Sequence, residues 1–205
     1  MKKSIILIAL LTGLFVLNTQ AQDNKKSFLD RTRFEFGVGV NFPSEPREGV
    51  EVKNYAGVGS LYCGAIYELN DLWGVRGTYA YNKFENKEDV SMGSLQHKFV
   101  AEVMFDVVGA IAKQKEQRFE LYLHSGAGLS IGRSELKSGT DMMGAFQVGI
   151  LPNYKISDAV RVHLDLVYVT NFKQDYGYHG GSAKFNGKSA TGSYLIANIG
   201  IAVQL

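Results

Sequence analysis

The chain has 205 residues, 45% of them hydrophobic and 12% aromatic, with 23 glycines against 3 prolines, which fits one ordinary domain and excludes collagen-like and disordered classes. The formal net charge of +2 is accounted for by Lys2 and Lys3, in a segment expected to be removed. The remainder is balanced, so bulk charge recruits no nucleic acid.

Residues 1–21 carry the parts of a secretory signal peptide: Lys2 and Lys3, an apolar run from Ile5 to Leu17, and small residues Thr19 and Ala21 before the expected cut. The run is too short for a transmembrane helix, and no later stretch approaches the roughly 20 apolar residues such a helix needs. Residues 22–33 follow as a short periplasmic segment, and 34–205 as the main domain. Cys63 is the single cysteine, which excludes an intramolecular disulfide and leaves no lipid-anchor cysteine near the cleavage site.

After the signal, helical periodicity is scarce and period-two alternation recurs, which predicts strands throughout. RFEFGVGVNF places Phe34, Phe36, Val38, Val40 and Phe42 on one face, with Glu35, Gly37, Gly39 and Asn41 opposite. Leu61, Cys63, Ala65, Tyr67 and Leu69 form the apolar face of a second strand. LWGVRGTYAYN gives a third with Trp73, Val75, Tyr79 and Tyr81, and a fourth offers Phe99, Ala101, Val103, Phe105 and Val107. RFELYLHSGAGLSI is the fifth; the sixth runs to Ile156, and the seventh presents Val160, Val162, Leu164, Leu166 and Tyr168. NIGIAVQL ends the eighth, whose expected partner is the first.

No residue on these apolar faces is charged, whereas the opposite faces carry Glu35, Glu68, Arg76, Lys98, Glu102, Asp106, Glu120, Lys155, Arg161 and Asp165. A soluble sandwich or lipocalin would turn the apolar set inward. Loop lengths argue for the opposite orientation. Residues 43–54, 82–94, 132–141 and 173–193 are long connections, while 70–72, 110–117 and 157–158 are shorter, and long loops on one side with short turns on the other form the outer-membrane pattern. Aromatics bracket the apolar band: Phe34, Tyr67, Trp73, Phe105, Phe119 and Tyr154 toward the short turns, and Phe42, Tyr79, Tyr81, Phe99, Phe146 and Tyr168 toward the long loops. A sheet in lipid must leave no unpaired edge, so the expected fold is an all-β, eight-stranded antiparallel up-and-down transmembrane β-barrel.

LWGVRGTYAYN, the unit GILPNYKISDAVRVHLDLVY and the terminal strand together make the chain resemble the small outer-membrane β-barrel family of Gram-negative bacteria, of the OmpA transmembrane-domain and OmpX kind. The resemblance covers essentially all of the mature chain. It implies location in the outer membrane, contact with its lipid and lipopolysaccharide, and recognition by the barrel-assembly machinery through Asn198, Gly200, Val203 and Leu205, with Leu205 standing where an aromatic is more usual.

An eight-stranded barrel is just wide enough for side chains to fill, so the inward charges are expected to pair and plug it; a narrow ion path is the alternative. His163 and Asp165 share a face with Arg161 and are expected to join lumen hydrogen bonds, although such a pair could also move protons. His124 and Ser125, a candidate base and nucleophile for lipid modification, are adjacent and therefore fall on opposite faces. His97 and His179 lack ligand spacing. No catalytic residue, cofactor or metal site is predicted. The long loops EPREGVEVKN, FENKEDVSMGS and KQDYGYHGGSAKFNGKSATGS mix charge, glycine and aromatics, which suits an extracellular contact surface. The expected role is structural, in surface contact or in envelope integrity, with a narrow porin-like channel second and a lipid A-modifying enzyme third.

Overall fold

Period-two alternation becomes eight antiparallel strands in a computed structural model that describes residues 28–44, 53–112 and 118–204. They are β1 (Thr32–Ser44), β2 (Gly57–Glu68), β3 (Trp73–Glu85), β4 (Gly93–Asp106), β5 (Phe119–Ser134), β6 (Thr140–Lys155), β7 (Val160–Gln174) and β8 (Ala190–Gln204). Each pairs with its sequence neighbour, and β8 closes onto β1 through a register running from Arg33↔Gln204 to Ser44↔Ser193. The sheet therefore has no free edge, and its main-chain donors and acceptors pair around the wall. The signal-peptide segment and Leu205 lie outside the described residues.

The outer wall is apolar. Phe34, Phe36, Val38, Phe99, Val103, Leu123, Leu129, Phe146, Val148, Ile150, Leu164, Ile199 and Ile201 are all exposed. Glu35, Arg76, Lys98, Glu102, His124, Arg161, His163 and Asp165 point inward and are buried. No charged residue stands among these greasy rows.

Two local differences from the sequence expectation have physical causes. Val107 does not extend β4; it opens a short helix, α1 (Val107–Ile111), because the Asp106 carboxylate accepts a hydrogen bond from the Gly109 N–H at 3.0 Å and caps it. Leu69 lies past the end of β2, in the turn, where its N–H donates to the Trp73 carbonyl at 2.9 Å. Several strands also run further toward the long loops than the greasy band. Lys83 and Glu85 remain paired in β3, and Arg133 and Ser134 in β5, because main-chain pairing continues where polar outward side chains are tolerated.

Candidate functional site: the filled lumen and its mouth

Alternation sends one residue in two inward, and the lumen is filled in layers. At the short-turn end Arg33, almost fully buried, lies 3.3 Å from both Glu68 and Glu120 and donates to the Tyr122 hydroxyl at 3.2 Å. Arg161 reaches the same Glu120 at 3.2 Å. Above them, Ile66, Met104 and Leu151 form a small apolar layer against Tyr122.

The central layer is ionic. Arg76 donates through Nε to Glu35 at 2.5 Å, and its terminal nitrogens lie 3.4 Å from Glu102 and 2.8 Å from Asp165. His124 bridges two of those carboxylates, Nδ1 to Glu102 at 2.6 Å and Nε2 to Asp165 at 3.0 Å. Both ring nitrogens face carboxylate oxygens, the geometry in which both donate, as in an imidazolium. Lys98 donates to the Gln147 amide oxygen at 2.6 Å, and the Tyr62 hydroxyl bonds His163 Nε2. The polar-face glycines create room for these groups: a side chain at Gly149 or Gly200 would strike the imidazoles of His124 and His163.

Toward the long loops the filling becomes aromatic. Phe84, Tyr178 and Tyr194 are fully buried and pack ring against ring, with centroids 4.6 to 5.9 Å apart, beside Val167, Val169 and Ile196. Tyr178 comes from the β7–β8 loop, which is stapled to the ends of β5 and β6. The Asp141 carboxylate accepts from the N–H groups of Asp175 and Tyr176 at 2.6 and 3.1 Å, and the Ser134 hydroxyl donates to the Gly180 carbonyl at 2.6 Å. Gly180 sits at φ +83°, a conformation that favours glycine. Within the loop Asp175 accepts from the Ser189 hydroxyl at 2.7 Å and pairs with Lys184 at 2.9 Å, and these contacts hold its carboxyl below the ordinary range.

A cavity of about 630 Å³ opens at the short-turn end. Its inner lining reaches Arg33, Ile66, Met104 and Tyr122 and includes none of the central ionic residues, so it is a vestibule below the central layer.

His163 and Asp165 take different partners, Tyr62 for the first and Arg76 with His124 for the second. Ser125 lies on the outer side of the wall, with its hydroxyl donating to the Gln147 carbonyl at 3.1 Å, while His124 is buried inside between two carboxylates. No nucleophile–base contact joins them. His97 faces outward and bonds the Tyr79 hydroxyl through Nδ1 at 2.8 Å. Among the described residues no cluster of His, Cys, Asp or Glu is arranged to hold a metal ion.

Arg33 was missing from the predicted inward set, although it shares its phase with Glu35 on β1. The aromatic cap was also missed. Tyr194 could have been phased inward with Ile196 and Asn198, but no local pattern announces that Tyr178 folds back from its loop.

No family model and no curated protein sequence matches the chain. Solved structures do. Neisserial surface protein A is similar over 85% of this chain and 97% of its own, with 16% identity and a TM-score of 0.51. The fold is that of the small outer-membrane β-barrels. The N-terminal β-barrel domain of OprF from Pseudomonas aeruginosa is similar over 85% of this chain and 97% of its own, at 10% identity and a TM-score of 0.50. At these identities the likeness is one of architecture.

Proposed function

We propose that the protein is an integral outer-membrane barrel with a closed lumen, acting through its loop-bearing surface in a structural, surface-contact or envelope-integrity role. The observation that carries this reading is the inversion of the wall, with aliphatic and aromatic side chains exposed around the outside and the ionic residues enclosed. A soluble protein would expose such a continuous apolar surface to water at great cost, whereas hydrocarbon accepts it. The anchoring of the β7–β8 loop to the ends of β5 and β6 supports the surface role, because it gives that end of the molecule a defined shape.

The lumen supports a filled plug over a channel: the Arg33, Arg76 and Tyr178 layers cross it in succession, with their side chains paired or packed. The placement of His124 and Ser125 on opposite sides of the wall supports a non-enzymatic role.

Cell fractionation combined with gel mobility before and after boiling tests the location. The barrel is expected in the outer-membrane fraction with faster mobility when unboiled, and recovery as a soluble periplasmic protein would overturn the reading. Planar-bilayer recording tests closure, with no stable conductance expected.

A further inference from the structure

The vestibule at the short-turn end sorts its charges by wall. Strand order in the closed barrel puts its cations on one arc and its anions on the other. Lys155 ends β6, Arg161 stands on β7 and Arg33 on β1, whereas Glu68 ends β2, Asp71 lies in the β2–β3 turn, Asp106 ends β4 and Glu120 stands on β5. Among the described residues lining the cavity, no anion stands on the arc from β6 to β1 and no cation on the arc from β2 to β5. A positive wall therefore faces a negative one, with three cations against four anions, and a ligand of a single charge would match only one of them.

The ion pairs inside the cavity use only part of these groups. Glu120 takes both guanidinium groups, Arg33 at 3.3 Å and Arg161 at 3.2 Å, and Glu68 meets Arg33 through Oε1 at 3.3 Å. Lys155 reaches Asp158, outside the lining, at 2.8 Å. Arg33 is almost wholly buried and the Arg161 side chain is only 9% exposed, yet Nε of the first and Nη1 of the second have no acceptor among the described residues. A buried N–H without an acceptor is costly, so both arginines keep donor capacity that an arriving carboxylate can satisfy. On the opposite wall Asp106 uses one oxygen for the Gly109 N–H, and the Glu68 side chain is 32% exposed. Ile66, Met104 and Tyr122 form the apolar ceiling above both arcs.

We infer that the vestibule is a binding site for a short zwitterionic peptide with an apolar side chain. The peptide carboxylate accepts from the Arg33 and Arg161 guanidinium groups with Lys155 beside them, the terminal ammonium donates to Glu68 and Asp106, and the side chain rests under the Ile66, Met104 and Tyr122 layer. The cavity volume of about 630 Å³ lies within the roughly 300–1,000 Å³ of small-molecule sites. A free amino acid carries both charges on one Cα, whereas each added residue separates them by about 3.5 Å more, so two or three residues suit charges that stand on opposite walls. The outer-membrane reading makes the periplasm the source of this ligand, but the site itself does not depend on that reading.

The test titrates alanyl-leucyl-alanine into the full mature chain folded in detergent micelles, with binding followed by calorimetry and folding checked by gel mobility before boiling. Saturable binding is expected, weakened about fivefold when the peptide is N-acetylated and again about fivefold when it is C-amidated instead. Glu68→Gln should weaken binding of the free peptide about threefold and leave the acetylated form unaffected. Arg161→Gln and Lys155→Gln should weaken the free peptide and leave the amidated form unaffected, and Lys155, with its side chain 32% exposed, gives a variant that disturbs no buried group. Absence of saturable binding by folded wild type would overturn the site, as would equal affinity for the free and blocked peptides. Leucine bound as tightly as the tripeptide would overturn the span from wall to wall.

Discussion

The two halves of the lumen are filled by different physics. The half toward the short turns and the centre is ionic, with Arg33 and Arg76 each facing more than one carboxylate; the half toward the long loops is aromatic, with Phe84, Tyr178 and Tyr194 in contact. Each is held from a different source. The ionic residues all stand on strands, so the barrel wall fixes their positions without help from a loop. The aromatic cap needs Tyr178, which arrives from the β7–β8 loop and is held by Asp141 and Ser134. The contrast teaches that breaking the centre should damage the whole barrel, whereas breaking the cap should act locally.

The largest effect is expected at Arg76. Replacing it by Met leaves Glu35, Glu102 and Asp165 buried without their shared cation, and stability should fall by about 3–5 kcal/mol in urea unfolding followed by gel mobility. Adding Glu35→Gln and Asp165→Asn to that variant should recover much of the loss, because the uncompensated charges go with the cation. A small loss in the single variant would mean that the centre is no more demanding than the cap.

Tyr178→Ala tests the other half. The global unfolding transition should move little, while amide exchange within 175–189 should accelerate about tenfold, a local opening worth about 1.4 kcal/mol. A shift of the global transition as large as that of the Arg76 variant would erase the distinction between the halves.

Acid should loosen the β7–β8 loop. The Ser189 and Lys184 contacts hold the Asp175 carboxyl below its ordinary value of about 4. A carboxyl depressed on folding contributes stability above its unfolded value and loses that contribution as pH falls through the lower folded one. Resonances of the β7–β8 loop should therefore broaden or shift below about pH 4, and Asp175→Asn should remove the part of that dependence carried by the Ser189 and Lys184 contacts.

Much of the wall was legible in the sequence because the barrel is built from a period of two. Phe34 against Glu35 and Leu164 against Asp165 fix both face and phase without knowledge of their neighbours. The inward position of the central charges followed from the same rule. Their partners did not: Arg76 meets Glu35 two strands away and Asp165 across the lumen, 41 and 89 residues away in the chain, and only the folded sheet brings them together. Tyr178 was harder still, because a loop residue has no periodicity to read, and its burial depends on the space that Phe84 and Tyr194 leave at the mouth. The α1 cap shows the reverse case, in which a single local hydrogen bond from Gly109 to Asp106 overrode an apolar alternation that otherwise continued into Val107.

The wall's orientation toward hydrocarbon is tested most directly at Cys63, the chain's only cysteine, exposed on β2 opposite Phe36 and Tyr79. An environment-sensitive fluorophore attached there, in protein reconstituted into bilayers, should emit as in an apolar medium. Lipids brominated deep in their acyl chains should quench it, and aqueous iodide should not. Quenching by iodide with no effect of the brominated lipids would place that face in water and contradict the account.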